Sequence, residues 1–280
     1  MESPRVLFVC SEIHPYLPES PVATICQALP SAIQEKGFEI RTFMPRFGCV
    51  NERRNQLHEV IRLSGLNLII NDSDHPLIIK VASISAARMQ IYFIDNDDYF
   101  QRKALYRSND DEKLWFPDND ERSIFFVRGV LETVRKLRWS PDIVHCHGWF
   151  SFILALYLRK SFKDDPLYMG SKIILSLYDE PAPERFDDDF RKKAYNDGVR
   201  SKDLEQMAEP TFENLMKVCI NFADAVIAGS PNVDENIMNY AIENNKRVLE
   251  YQSPEKYVDK YAEFYESLLT RRRRKNKRLQ

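Results

Sequence analysis

Residues 6–33 read VLFVCSEIHPYLPESPVATICQALPSAI. Val6–Cys10 is a continuous apolar run, the mark of a parallel strand covered on both faces. Ser20 is placed to cap a helix with Pro21 at its first position. The helix is expected to end near Lys36, with Gly37 as its stop. Strand, loop and capped helix form the opening of a nucleotide-binding α/β domain. The loop, however, runs Leu17-Pro18-Glu19-Ser20-Pro21, without glycine or lysine. Backbone amides approach a phosphate closely only where side chains stay out of the way. Pro18 and Pro21 lack amide donors, and Glu19 brings a negative charge to the place an anion would take. The stretch reads as an enzyme fold with a dismantled phosphate site.

Working outward, Phe38–Phe43 is a second strand. Residues 58–94 hold short alternating runs, EVIRL, NLIIN, PLIIKVASI and MQIYFI, punctuated by Gly65 and Asn71-Asp72-Ser73-Asp74. They predict a β-rich excursion that returns to the sheet. Glu121–Leu137 reads as a long helix. Ile143–Cys146, Ile173–Leu177 and Ala225–Ala228 are further short strands, with helices near 150–162 and 211–222 between them. The alternation predicts an α/β fold with one Rossmann-like, doubly wound and mainly parallel sheet. A helix near 232–243 and a short KRVLEY run follow. Tyr257, Tyr261, Phe264, Tyr265 and Leu268 then recur at helical spacing. They predict a C-terminal closing helix over 254–269, capped by Ser253 and begun by Pro254. The domain is expected to span 1–269.

The chain has 280 residues, 44% hydrophobic and 12% aromatic, enough for a substantial core. Net charge is −2, unevenly spread. Residues 270–280, TRRRRKNKRLQ, carry seven bases and no acid; the remainder has 33 bases against 42 acids, a charge of −9. That tail is expected to be disordered, with possible polyanion targets among nucleic acid, acidic lipid or an acidic protein. The five cysteines are odd in number, scattered and without a CxxC pair. They suit free thiols in a reducing, cytoplasmic setting. The N-terminus does not read as a signal peptide, and no apolar run approaches a membrane span of ~20 residues.

The motifs carry a resemblance. Ser11-Glu12-Ile13, Pro15 and Leu29-Pro30, then Met44-Pro45-Arg46, Ile91-Tyr92-Phe93-Ile94-Asp95-Asn96, Tyr99-Phe100 and Arg102 recur in order. Pro117-Asp118-Asn119 with Arg122, Val144-His145-Cys146-His147-Gly148-Trp149-Phe150, Asn214, Lys217, Ala223-Asp224 and Ser230-Pro231 continue the series. Together they resemble the N-terminal, starch synthase catalytic domain of bacterial glycogen and starch synthases, ADP-glucose-dependent GT-B α-1,4-glucan glucosyltransferases. The resemblance covers roughly residues 5–235.

The departures from that family matter for function. Its Lys-Thr-Gly-Gly, which contacts the donor phosphates, falls on Pro18, Glu19, Ser20 and Pro21. An aspartate and a histidine that flank the motif tryptophan are replaced by Gly148 and Phe150 around Trp149. A His-Asn pair that ends the next strand falls on Tyr178 and Asp179. The family also holds its donor between two Rossmann-like domains. Only 49 residues follow Pro231 here, so a second domain is not expected. The resemblance therefore implies a glycogen synthase-like protein that is not catalytically competent alone, a pseudoenzyme with no confidently assigned catalytic residue. It would act by binding a protein partner, a glucan or a residual nucleotide. The alternative is an active transferase using ADP-glucose, completed by a partner chain. A third reading is a different small-molecule enzyme reusing the cleft.

Other residues have structural readings beside functional ones. His145 and His147 point to one side of a strand, but no third ligand is spaced to join them, so no metal is expected. With Trp149, Asp118 and Asn119 they remain possible cleft residues; Asp118 and Asn119 equally suit helix capping. No cofactor is implied. Asp187-Asp188-Asp189 reads as a solvated loop, Cys146 as a buried thiol, and the terminal aromatic stripe as core packing.

Overall fold

A computed structural model describes residues 3–277. In chain order the elements are β1 (Arg5–Cys10), α1 (Pro21–Glu35), β2 (Glu39–Pro45), β3 (His58–Glu59), β4 (Leu66–Ile70), β5 (Ser73–Ile84) and β6 (Met89–Asp95). Then come α2 (Asp97–Phe100), α3 (Asn119–Lys136), β7 (Ile143–His147), α4 (Leu154–Lys160), β8 (Lys172–Leu177), α5 (Phe190–Lys193) and α6 (Phe212–Phe222). β9 (Ala225–Ala228), α7 (Glu235–Glu243), β10 (Arg247–Leu249) and α8 (Tyr257–Lys277) complete the chain.

The sheet order is β10-β9-β8-β7-β1-β2-β6-β5-β3, with β4 paired to β5. The strands from β10 to β6 are parallel; β5 joins β6, and β3 and β4 join β5, antiparallel. The excursion expected over 58–94 thus extends the main sheet at one edge. β1, β7 and β8 are buried almost throughout, as their apolar runs require. Right-handed crossovers run in opposite directions from β1, so α1 covers one face and α3, α4 and α6 the other. The order reverses between β1 and β7. In open α/β sheets the ligand crevice lies outside the strand carboxyl ends at such a switch point.

Ser20 caps α1 as its sequence predicts, its hydroxyl accepting from the Ala23 amide at 3.0 Å. Gly37 follows the helix with φ of +92°, a conformation that glycine adopts without strain. The helix expected near 150–162 is shorter, beginning at Leu154 after a single tight turn over Trp149–Ser151.

The closing helix docks. Tyr261, Phe264, Tyr265 and Leu268 are buried, and Lys36, just after α1, pairs with Asp259 at 2.6 Å. Its bounds need correction at both ends. It begins at Tyr257 rather than 254, because the Ser253 carbonyl accepts from the amides of Lys256 and Tyr257 and closes a turn first. It runs to Lys277, through much of the segment expected as a disordered tail. Arginine and lysine have high intrinsic helix propensity and continue the backbone ladder of the preceding turns; residues 278–280 lie outside the described residues. Among the described residues no helix is long and apolar enough to cross a membrane.

Candidate functional site

At the switch point three strand ends converge: Cys10 followed by Ser11-Glu12, His147 followed by Gly148, and Leu177 followed by Tyr178-Asp179-Glu180. A fourth wall comes from the loop between α2 and α3. That loop folds back on itself through a bridge between Arg107 and Trp115 and a bond from the Phe116 amide to the Tyr106 carbonyl at 3.0 Å. Between these walls lies a cavity of about 360 Å³, lined by Glu12, Ser20, Tyr106, Arg107, Trp115 and Glu180 among others.

The helix N-terminus that faces this cavity is already satisfied from within. The Ser20 hydroxyl accepts from the Ala23 amide and donates to Glu12 Oε2 at 2.7 Å. An internal carboxyl thus stands behind the cap, at the end of a helix whose partial positive charge favours anions. Pro18, Glu19 and Pro21 are exposed. Glu19 lies on the rim of a second, larger cavity of about 740 Å³, bounded by Pro231, Tyr251 and Tyr257.

Gly148 has φ of +80°, and a Cβ built on it would lie 2.7 Å from Ser11 Oγ and 3.2 Å from Glu180 Oε2. The Glu180 carboxyl therefore lies beside the volume that a side chain at 148 would enter. Its other oxygen, Oε1, accepts from the Trp149 amide at 2.8 Å. Burial pushes the Glu180 carboxyl up to about 8, and the nearby Glu12 carboxylate adds to the rise. Burial likewise raises Glu12, against the bonds that favour its ionised form.

A raised carboxyl has a definite effect on stability. Below the ordinary carboxylate range Glu180 is protonated in both folded and unfolded chains. As pH rises toward 8 the unfolded chain ionises while the folded one holds its proton, so stability from this group is lost. Glu180→Gln is expected to raise the melting temperature at pH 8 and leave it nearly unchanged at pH 4.5. Thermal melts across that range check this; an offset independent of pH would contradict it.

The other sequence-selected residues lie mostly inside the protein. His145 and His147 are fully buried, not on the cleft wall. His145 Nδ1 lies 2.6 Å from the Tyr265 hydroxyl and Nε2 lies 2.7 Å from Ser176 Oγ. His147 Nδ1 lies 2.7 Å from the Tyr178 hydroxyl. Burial holds His145 well below its usual range and His147 at about 3, so both rings are neutral. They are part of a polar chain through the core that ends on α8. Tyr178 itself is buried against Gly229, where a Cβ would come within 2.5 Å of its ring. Asp179 is exposed at the cavity mouth, its amide donating to Ser230 Oγ at 2.8 Å.

Trp149 and Phe150 also point inward. Phe150 is fully buried among Phe47, Tyr106 and Phe126, and Trp149 packs on Tyr106 and Phe186. An apolar ring is more stable in that cluster than on a wet wall. Among the described residues, no three histidine, cysteine or acidic side chains are grouped to hold a metal ion.

Asp118 and Asn119 act from behind the cleft. Asp118 precedes α3 but makes no side-chain cap; it pairs with Arg102 at 2.5 Å. The Arg102 guanidinium is the stronger partner for a carboxylate than a backbone amide. Asn119 is buried, donating to the Tyr106 carbonyl at 2.6 Å and accepting from Arg122 Nη1 at 2.7 Å. Buried Arg122 also donates to the carbonyls of Tyr99 at 2.8 Å and Leu105 at 2.7 Å. These two side chains hold the loop that carries Tyr106 and Trp115 over the cavity. Lys193 on α5 fixes the next segment, lying 3.1 Å from both Asp120 and Glu121.

Glu12, Glu180, Tyr106, Arg107 and Trp115 were not selected from sequence. The first two could have been, since each falls just beyond a strand's carboxyl end in a switch-point fold. The other three sit in a loop with no motif of its own.

The mainly parallel sheet with flanking helices and a crevice at its switch point matches the Rossmann-like fold of a GT-B glycosyltransferase. Residues 5–250 match the model of the starch synthase catalytic domain, and the chain belongs to that family. It is 36% identical over 178 residues to the glycogen synthase of Chlorobium luteolum, covering 62% of this chain and 35% of that protein. With the glycogen synthase of Chlorobium phaeovibrioides it shares 30% over 237 residues, covering 85% and 48%. The chain thus spans between a third and a half of the length of these curated relatives. In structure it is similar to the catalytic domain of starch synthase IV from Arabidopsis thaliana bound to ADP and acarbose, with a TM-score of 0.70 and 16% identity, over 90% of this chain and 52% of that one. The last likeness concerns the fold.

Proposed function

We propose that this chain is a glycogen synthase-like protein that binds at its switch-point cleft without transferring glucose by itself. A protein partner, a glucan or a residual nucleotide are the occupants considered from its family. The observation that carries this reading is the internal closure of the α1 N-terminus. Ser20 accepts from the free amide at Ala23 and leans on the Glu12 carboxyl. A diphosphate entering there would displace the cap and meet Glu12 and Glu19, with no lysine at Pro18 to balance its charge. A charged phosphate contact is worth about 1.5–3 kcal/mol, and several are replaced together. Tyr178 adds to this, since its ring is held by His147 and Gly229 in the interior.

The purified 280-residue chain is expected neither to bind ADP-glucose detectably nor to incorporate labelled glucose into glycogen. Calorimetry and an incorporation assay test this. Restoring Pro18→Lys, Glu19→Thr, Ser20→Gly and Pro21→Gly together is expected to leave incorporation absent, and to cost ~1 kcal/mol of stability through the lost cap. Micromolar donor binding by the parent chain would overturn the reading.

One observation favours the alternative, an α-1,4-glucan glucosyltransferase using ADP-glucose and completed by a partner chain. Glu180 brings a carboxyl next to Gly148, where the family has an acid. If that carboxyl acts in transfer, incorporation appears once a partner is added and is abolished by Glu180→Gln.

A further inference from the structure

The two sides of the switch-point cavity are built differently. One comes from the ends of β1 and β8 and the start of α1, with Glu12, Glu180 and Ser20. The facing side is a single stretch of the loop between α2 and α3, residues 105–115. The base of that loop is clamped to the body. The Gln101 and Arg102 carbonyls lie against Gly48, where a Cβ would come within 2.2 and 2.5 Å of them. Arg122 Nη1 holds the Leu105 carbonyl at 2.7 Å, and Asn119 Nδ2 holds the Tyr106 carbonyl at 2.6 Å. The Tyr106 ring is packed among Phe47, Trp149 and Phe150.

Beyond Tyr106 the loop bonds to itself. The Ser108 amide donates to the Leu114 carbonyl at 2.9 Å, and the Leu114 amide to the Asp111 carbonyl at 3.0 Å. The Asp110 amide donates to Ser108 Oγ at 3.1 Å, and the Lys113 amide to Asp111 Oδ1 at 2.9 Å. Arg107 Nη1 donates to the Glu112 carbonyl at 3.2 Å, and its Nη2 lies 3.5 Å from the Glu112 carboxylate. Asn109 Nδ2 reaches furthest, to the Lys103 carbonyl at 2.8 Å, and stays within the same loop. Among the described residues, no hydrogen bond or ion pair of 107–115 runs to another element of the fold. The chain enters this unit at Arg107 and leaves it at Trp115, and these two residues are bridged to each other, so the unit hangs from one neck. Trp115 is its half-buried anchor on the core, while Leu114 beside it is 59% exposed.

We propose that residues 107–115 form a flap that turns as a unit about its Arg107–Trp115 neck and sets access to the switch-point cavity. A swing about the neck keeps the flap's internal bonds. It gives up the exposed Asn109–Lys103 bond and the apolar contact of Trp115. A segment with few bonds to the body opens at low free energy while the rest of the fold stays intact. Closure of such a segment over a cleft shuts its occupant away from water. The fixed base confines the motion: Gly48, Arg122 and Asn119 hold the chain up to Tyr106, so the wall beyond Tyr106 lifts while Tyr106 keeps its place.

This inference deepens the reading of the cleft as a binding site without transfer, and rests on it for what the flap encloses. The experiment is pulsed electron spin resonance on the 280-residue chain carrying Cys49→Ser, because Cys49 is the exposed thiol and the other four are buried. Spin labels on Glu112→Cys and Asp179→Cys report across the cavity, from exposed positions on its two sides. Labels on Lys103→Cys and Asp179→Cys report on the base of the loop. The flap pair is expected to show a distance distribution about twice as wide as the base pair or more, as for a loop that samples more than one position. Trp115→Ala, which removes the anchor, is expected to shift the flap pair to longer distances and leave the base pair unmoved. A flap pair as narrow as the base pair, or one that Trp115→Ala does not shift, would overturn the flap. Glucose incorporation by the unlabelled chain would instead overturn the reading on which it rests, and leave the flap standing.

Discussion

Truncation before Gln252 is expected to leave a chain that fails to fold, or one that melts at least ~15 °C lower. Such a cut removes α8, whose Tyr261, Phe264, Tyr265 and Leu268 are buried against the sheet and α1. Each side chain of this size contributes about 1.5–3 kcal/mol when fully buried. Four of them amount to roughly 6–12 kcal/mol, comparable with the whole stability of a typical domain, ~5–15 kcal/mol. The loss is not only apolar. Without Tyr265 the His145 ring loses the partner 2.6 Å from its Nδ1 deep in the core. Circular dichroism melts of the full and truncated chains measure the effect. A cut after Leu269, which keeps the four aromatic and aliphatic anchors, is expected to leave the melting temperature within a few degrees. Equal melting of the shorter chain and the full one would show that α8 adds nothing to the fold.

Arg122→Met should destabilise the protein by about 3–5 kcal/mol, the range found when one member of a buried charged network is removed. The guanidinium is fully buried between the rings of Phe47, Phe100, Phe116 and Phe150. Burial lowers its affinity for a proton to about 10, still above neutrality, so it remains charged. Methionine fills much of the volume but leaves the Tyr99 and Leu105 carbonyls and Asn119 Oδ1 without their donor. Because the same bonds hold the loop over the cavity, amide exchange at Tyr106–Trp115 is expected to speed up. Arg122→Lys should recover little, since a point charge cannot reach three acceptors arranged around a planar fork. A denaturation midpoint unchanged by Arg122→Met would refute the assigned role.

The two effects arise at opposite ends of the same problem. α8 closes one face of the sheet through a stripe that is visible in the sequence as Tyr257, Tyr261, Phe264, Tyr265 and Leu268. Arg122 shapes the cleft through carbonyls that no sequence pattern marks. The resemblance placed Arg122 in a motif with Pro117-Asp118-Asn119, but its contacts run to residues 17 and 23 positions away. Asn119 likewise looked like a cap or a ligand and is instead a brace for the Tyr106 backbone.

The candidate site was legible in part. The Pro18-Glu19-Ser20-Pro21 loop was found from residue chemistry, because glycine, lysine and proline have local and predictable effects on a phosphate loop. What fills the vacated place was not legible. Ser20 and Glu12 meet across eight residues only because the chain turns back from β1 into α1. Gly148 appeared as a simple loss, yet Glu180, 32 residues later, brings a carboxyl beside it. His145, His147 and Trp149 read as possible cleft residues, and Phe150 as a position where the resemblance implies a lost histidine. The structure turns all four side chains into the interior, where α8 and the aromatic cluster supply their partners.

The sequence by itself determined the strand–helix alternation, the parallel sheet, the cap at Ser20, the stop at Gly37 and the apolar face of the last helix. Those are short-range properties, set by periodicity and backbone preference within a few residues. Only the tertiary structure decided that the 58–94 excursion becomes an antiparallel edge, that the basic segment to Lys277 continues α8, and that Glu12, Tyr106 and Glu180 share one cavity. Each depends on which strand ends meet at the switch point and how far an overlying loop is drawn inward. That is set by packing between distant segments, and the charge state of Glu180 follows from it, because burial raises a carboxyl only once the walls around it have closed.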